Sequence, residues 1–144
     1  MPGEHSGQSL DILVTQEIPP QSITGGAVNG TGVDTSGWEE VTFHINIGAI
    51  TGAGTLAAVI QEDTASNFGT AANVANAALT NVTNTTPNNV MILGILRPTK
   101  RYVRLVVTQA TNTVIASATC IRSRRTGLLP PTQSASQTVI LKEN

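Results

Sequence analysis

No lysine or arginine occurs before Arg97 in this 144-residue chain, and a single acid, Glu143, follows Asp63. The formal net charge of −1 therefore conceals two oppositely charged parts. One carries Glu4, Asp11, Glu17, Asp34, Glu39, Glu40, Glu62 and Asp63, and the other Arg97, Lys100, Arg101, Arg104, Arg122, Arg124, Arg125 and Lys142. Such parts must fold onto each other or meet opposite charge on another molecule. The pattern points toward assembly more than toward chemistry.

Cysteine is equally scarce. Cys120 stands alone, which excludes an intrachain disulfide framework and a cysteine zinc site. Its place in TVIASATCI predicts a buried, inert thiol on a strand. Aromatic residues amount to 3%, namely Trp38, Phe43, Phe68 and Tyr102, so aliphatic and small side chains must fill the core. Charged residues are 12%, half the roughly one quarter usual in soluble proteins, which leaves a surface of Thr, Ser, Asn, Gln and Gly. No apolar run approaches the ~20 residues of a membrane helix. The first residues, MPGEHSGQSLDILV, lack the basic region and long apolar stretch of an export signal. The expectation is a soluble product of the cytoplasm, with no membrane partner.

Period-two alternation is what the chain does have. Val41, Phe43, Ile45 and Ile47 face one way, with Thr42, His44 and Asn46 opposite. Val103, Leu105 and Val107 repeat the pattern, as do Leu10, Ile12 and Val14. Further strands are predicted at 22–28, 55–62, 90–96, 113–121 and 137–142, with a short one at 79–83. Pro19-Pro20, the glycines from 25 to 32 and from 48 to 54, Pro87-Asn88-Asn89 and Arg97-Pro98 read as turns. Residues 70–79, TAANVANAAL, are alanine-rich and read as either a short helix or a surface loop. Eight or nine short strands indicate an all-β, two-sheet antiparallel sandwich of jelly-roll type, with an immunoglobulin-like sandwich as the alternative. The domain spans 1–126, with 1–8 as an N-terminal arm. Residues 127–144 read as a Pro130-Pro131 spacer followed by a terminal strand able to close its own sheet or to join a neighbour's edge.

Candidate chemistry is thin. His5 and His44, the two histidines, have no metal-ligand spacing, and no nucleophile-elbow GxSxG occurs. Glu39-Glu40 and Glu62-Asp63 are adjacent residues on extended chain, pointing to opposite sides, so neither doublet is a preformed acid/base pair. Glycine runs such as GAITGAGT lack the lysine of a phosphate-binding loop and read as turns. No catalytic residue, cofactor or metal is assigned. The basic positions form two groups, Arg97/Lys100/Arg101/Arg104 and Arg122/Arg124/Arg125. Tyr102 alone stands nearby for stacking on bases, which argues against nucleic acid. Some of these arginines should pair with the N-terminal acids, and the rest should face a partner.

Two segments, taken together and in order, resemble a known group. One is Gly37-Trp38-Glu39-Glu40-Val41-Thr42-Phe43, followed after a glycine turn by Thr55-Leu56-Ala57-Ala58-Val59-Ile60-Gln61-Glu62-Asp63. The other is Lys100-Arg101-Tyr102-Val103-Arg104-Leu105-Val106-Val107-Thr108. Across about residues 37–121 the chain resembles capsid cement or decoration proteins of tailed bacteriophages, small jelly-roll head proteins encoded near the major capsid gene. The alanine/asparagine-rich 70–86 stretch and the Pro-Pro tail depart from that pattern.

The resemblance implies a non-enzymatic protein on the outer surface of a phage head, bridging neighbouring capsomers as a symmetric oligomer. Its expected partners are the major capsid protein and a second copy of itself, a homodimer. Both basic groups and the C-terminal Leu128, Leu129, Val139, Ile140 and Leu141 are the candidate interface residues. The competing expectation is a carbohydrate-binding sandwich of a phage tail or host-recognition structure.

Overall fold

The alternation of Val41, Phe43, Ile45 and Ile47 builds a central strand of the fold, and all four side chains are buried. The computed structural model describes residues 12–126. These form β1 (Leu13–Ile23), β2 (Gly26–Asn29), β3 (Val33–Asp34), β4 (Trp38–Ile50), β5 (Thr55–Asp63), β6 (Ala72–Thr83), β7 (Asn89–Leu96), β8 (Tyr102–Ala110) and β9 (Val114–Arg125). One sheet has the order β1-β9-β4-β7, and the other the order β2-β8-β5-β6, with β3 also on β8. Every pairing is antiparallel.

β2 pairs with residues 106–109 of β8 and β3 with residues 102–103, so together they serve as one interrupted strand. The chain changes sheet at every connection except β2–β3 and β5–β6. First and last strands lie side by side, and two four-position sheets face each other. This is the jelly-roll arrangement. An immunoglobulin sandwich would instead put its first, second, fourth and fifth strands in one sheet.

Packing follows from residue size. Inside the first sheet, Phe43, Ile45 and Ile47 of β4 stand beside Cys120, Ala118 and Ala116 of β9. Large side chains alternate with small ones across the strand pair, leaving room for Leu56 and Ile60 of β5 and Leu105 of β8 from the opposite sheet. Burial pushes the Cys120 thiol up to about 12, as expected of an inert core cysteine.

Three expectations are corrected. Pro19-Pro20 is not a turn, because β1 runs straight through it. β1 is an edge strand, and its pairing with β9 shifts between Gln16 and Ile18 and again between Ile18 and Gln21. Prolines need no donor where the ladder is interrupted at an edge. The turn falls instead at 24–25, dividing the expected 22–28 strand between two sheets. Finally, 70–79 is neither helix nor loop. From Ala72 onward it is strand β6, paired along β5. Between the pairs Val59↔Ala78 and Gln61↔Asn73 the strand bulges, with Asn76 at φ 61°. Pairing with an open strand edge and burial of Ala77 override alanine's helix preference.

Candidate interaction surface

The outer face of the β1-β9-β4-β7 sheet changes character at its edge. On β4 it presents Thr42, His44 and Asn46, but on the edge strand β7 it presents Val90, Ile92 and Leu96. These are 50%, 58% and 57% exposed, and Ile115 on β9 is 45% exposed. Register sets His44 beside Ile92 and Glu40 beside Leu96. Met91, Leu93 and Ile95 take the inward positions, so β7 is apolar on both faces. Its sequence, NVMILGIL, reads as a strand buried on both sides, yet nothing among the described residues covers its outer one.

Both basic groups converge on one segment, 34–40. Arg101 makes a two-pronged ion pair with Asp34, and Thr35 Oγ1 donates to the Arg101 carbonyl at 2.8 Å. The Arg97 amide donates to the Glu39 carbonyl at 2.5 Å. Arg124 Nε lies 3.6 Å from Glu39, and Ser123 Oγ donates to Glu40 at 3.1 Å. Arg125 stands opposite Trp38 in the register of β4 and β9, with its guanidinium 5.9 Å from the ring centre. The expected meeting of the two charged parts thus occurs at this end of the sandwich. Among the described residues only Asp34 and Glu39 take a guanidinium at ion-pair distance, and Arg97, Lys100 and Arg125 share this end with the carboxylates of Glu40 and Glu62, which accept from Ser123 and Thr99.

Arg104 and Arg122 sit differently. Arg104 donates twice to Gln61 Oε1, at 2.8 and 3.0 Å, and its guanidinium lies 4.7 Å from the centre of the Phe68 ring. Arg122 is only 8% exposed and points into the sandwich. Leu128, Leu129, Val139, Ile140 and Leu141 lie outside the described residues.

Two acids organise the loops: Glu17, which sequence reasoning passed over, and Asp63, which it read only as half of an adjacent carboxylate doublet. Glu17 is 1% exposed, and it accepts from the Gly32 amide at 2.7 Å and the Leu105 amide at 3.4 Å. Burial pushes it up to about 7 despite those two donors and the charges of Arg122 and Arg104. Glycine at position 30 makes room for this carboxylate, since a Cβ there would run into Glu17 Oε2 and crowd the Leu105 carbonyl. Asp63, at the end of β5, accepts from the Ala65 and Thr70 amides and the Thr70 hydroxyl. Burial works against ionisation, but these donors outweigh it and hold the carboxyl at about 2. The loop they fix places Phe68 over Gly32.

Among the described residues no group of three His, Cys, Asp or Glu side chains could hold a metal ion. Among the described residues, likewise, no helix is long and apolar enough to cross a membrane. Neither a family model nor a curated protein matches the chain.

Proposed function

We propose that this chain is a structural virion protein that binds the outside of an assembled tailed-phage capsid and cements neighbouring capsomers. The observation that carries the reading is the Val90, Ile92 and Leu96 row on an edge strand. Edge strands are usually protected by charge, proline or brevity, because an apolar edge invites another chain. β7 has eight residues, none of them charged and none of them proline. Such an edge suits a protein whose working state is associated, and the resemblance at residues 37–63 and 100–108 names the association as capsid cementing.

In this reading the apolar row seats against the major capsid protein, and the side chains of Arg97, Lys100 and Arg125 meet acidic groups on it and help set the register of the contact. A contact of ~800 Å² per partner suffices for one stable interface. Binding the assembled lattice and not the free subunit shifts assembly by mass action, and repetition over the shell adds avidity. Two copies related by a two-fold axis form the bridging unit. The carbohydrate-binding alternative has less to stand on. Trp38, Phe68 and Tyr102 each face an arginine guanidinium, and Phe43 is fully buried, so no free aromatic platform is presented.

The test is co-sedimentation of purified protein with phage heads stripped of it, comparing the natural chain with an Ile92→Lys/Leu96→Lys variant. The natural chain should saturate the heads, and the variant should lose at least ~10-fold in occupancy while keeping its β circular-dichroism spectrum. Equal occupancy would remove β7 from the interface, and no binding by the natural chain would remove the function.

A further inference from the structure

Arg122 belongs to the inward row of β9 and cannot serve as a surface charge, yet it is not closed off. An open pocket of about 390 Å³ lies between the start of β1 and residues 31–34, lined by Thr15, Gln16, Thr31, Gly32, Asp34 and Arg122 among others. That volume falls in the ~300–1,000 Å³ range of small-ligand sites.

The charge inside it is unbalanced. Arg122 Nη1 donates to the Asp34 carbonyl oxygen at 2.8 Å, which is a neutral acceptor. The Asp34 carboxylate is already engaged by Arg101, with contacts of 2.9 to 3.2 Å. Glu17 turns its two oxygens to the Gly32 and Leu105 amides. No carboxylate lies within ion-pair distance of Arg122 among the described residues. A desolvated guanidinium normally has a counter-charge, because burial without one is costly.

The hydrogen bonding is incomplete as well. Arg122 Nε and Thr15 Oγ1 are both shut off from solvent without a nitrogen or oxygen partner, and the polar group that bears on Thr15 is the weakly hydrogen-bonding Cys120 thiol. Buried polar groups in native proteins are nearly always satisfied, so two orphans lining one pocket call for a missing acceptor. They share a sheet face: Leu13 pairs with Arg122, and Thr15 pairs with Cys120 one step further along the inward row. Trp38, with its ring centre 5.9 Å from the guanidinium, supports the arginine from the side.

We propose that this pocket binds a carboxylate group, with Arg122 supplying the charge and the Thr15 hydroxyl a neutral donor. A monoanion matches the single uncompensated cation, whereas a phosphate dianion would bring a second negative charge beside the Asp34 carboxylate among the lining residues. The remaining volume accommodates the stem that carries the carboxylate. This assignment does not depend on the capsid reading.

Trp38 is the only tryptophan in the chain, so its fluorescence reports on the pocket directly. The full chain is titrated with sodium butyrate and with the capped tripeptide acetyl-Gly-Glu-Gly-amide, against sodium chloride and sodium phosphate at matched ionic strength. A saturable change with a carboxylate, at least ~10-fold weaker in Arg122→Met and in Thr15→Val, is the expected result. Thr15→Val removes the hydroxyl at nearly constant size, so the test survives if Arg122→Met folds poorly. Saturation by the tripeptide alone identifies the source as an acidic side chain of another protein, and saturation by butyrate alone as a free organic acid. Absence of saturation, an equal response to chloride or phosphate, or binding untouched by both substitutions would overturn the assignment.

Discussion

Asp34 and Arg101, separated by 67 residues in sequence, meet at the end of the sandwich with Nε 3.1 Å from Oδ1 and Nη2 2.9 Å from Oδ2. The pair joins the acidic part of the chain to the basic part, and the hydrogen bond from Arg101 holds the Asp34 carboxyl below its ordinary range. Both side chains are more than a third exposed, so salt should screen their attraction strongly. Arg101→Ala should lower the melting temperature slightly at low salt and not at all near 1 M sodium chloride. An Asp34→Arg/Arg101→Asp exchange should recover most of the loss. A loss independent of salt would mean that Arg101 acts through its packing on Tyr102.

Glu17 gives the molecule a pH dependence of unusual sign for a carboxylate. Its folded value of about 7 lies above the ordinary 4.5, so the folded state holds the proton more tightly than the unfolded chain does. The resulting stabilisation is fully present below pH 4.5, declines between 4.5 and 7, and is gone above 7. At ~1.4 kcal/mol per pH unit its ceiling is on the order of 3 kcal/mol. Glu17→Gln keeps an acceptor for the Gly32 amide and should flatten urea-unfolding stability across that window. An unchanged slope in the variant would place the titration elsewhere.

Asp63 runs the other way. Its value of about 2 lies below the ordinary 3.8, so its contribution is present above pH 3.8 and lost as pH falls through 2. Asp63→Ala removes the acceptor for the Ala65 and Thr70 amides, and Phe68 should leave its place over Gly32 and against Arg104. Limited proteolysis should then cut within residues 64–71 much faster than in the natural chain. Comparable cleavage rates would show that the loop is held by other contacts.

Phe43 is the largest fully buried side chain of the core. Phe43→Ala should cost about 3–5 kcal/mol in urea unfolding, since its cross-strand neighbour Cys120 and the diagonal Ala118 have little volume with which to refill the space. A loss below ~1 kcal/mol would mean the two sheets close over the cavity.

How much of this was legible beforehand depends on periodicity. Alternation in residues 41–47 and 101–108 located β4 and β8, because a half-buried strand repeats every two residues. The same rule placed Arg122 inward, in line with Cys120, once β9 continues to Arg125. Ending that strand at 121 hid it. Glu17 was unreadable because the shift around Ile18 turns both residues 17 and 18 inward, which simple alternation forbids. Likewise β6 is strand through its partner β5 and not through its own composition. Rings such as Phe68, 36 residues from Arg104, meet their arginines only through tertiary folding.

The proposed function, a β brick fastened to a viral shell, is tested most directly by electron cryo-microscopy of tailed-phage heads saturated with the purified chain. The account predicts jelly-roll density on the outside of the head, bridging neighbouring capsomers, with β7 turned toward the capsid surface. Heads that bear no such density would contradict it.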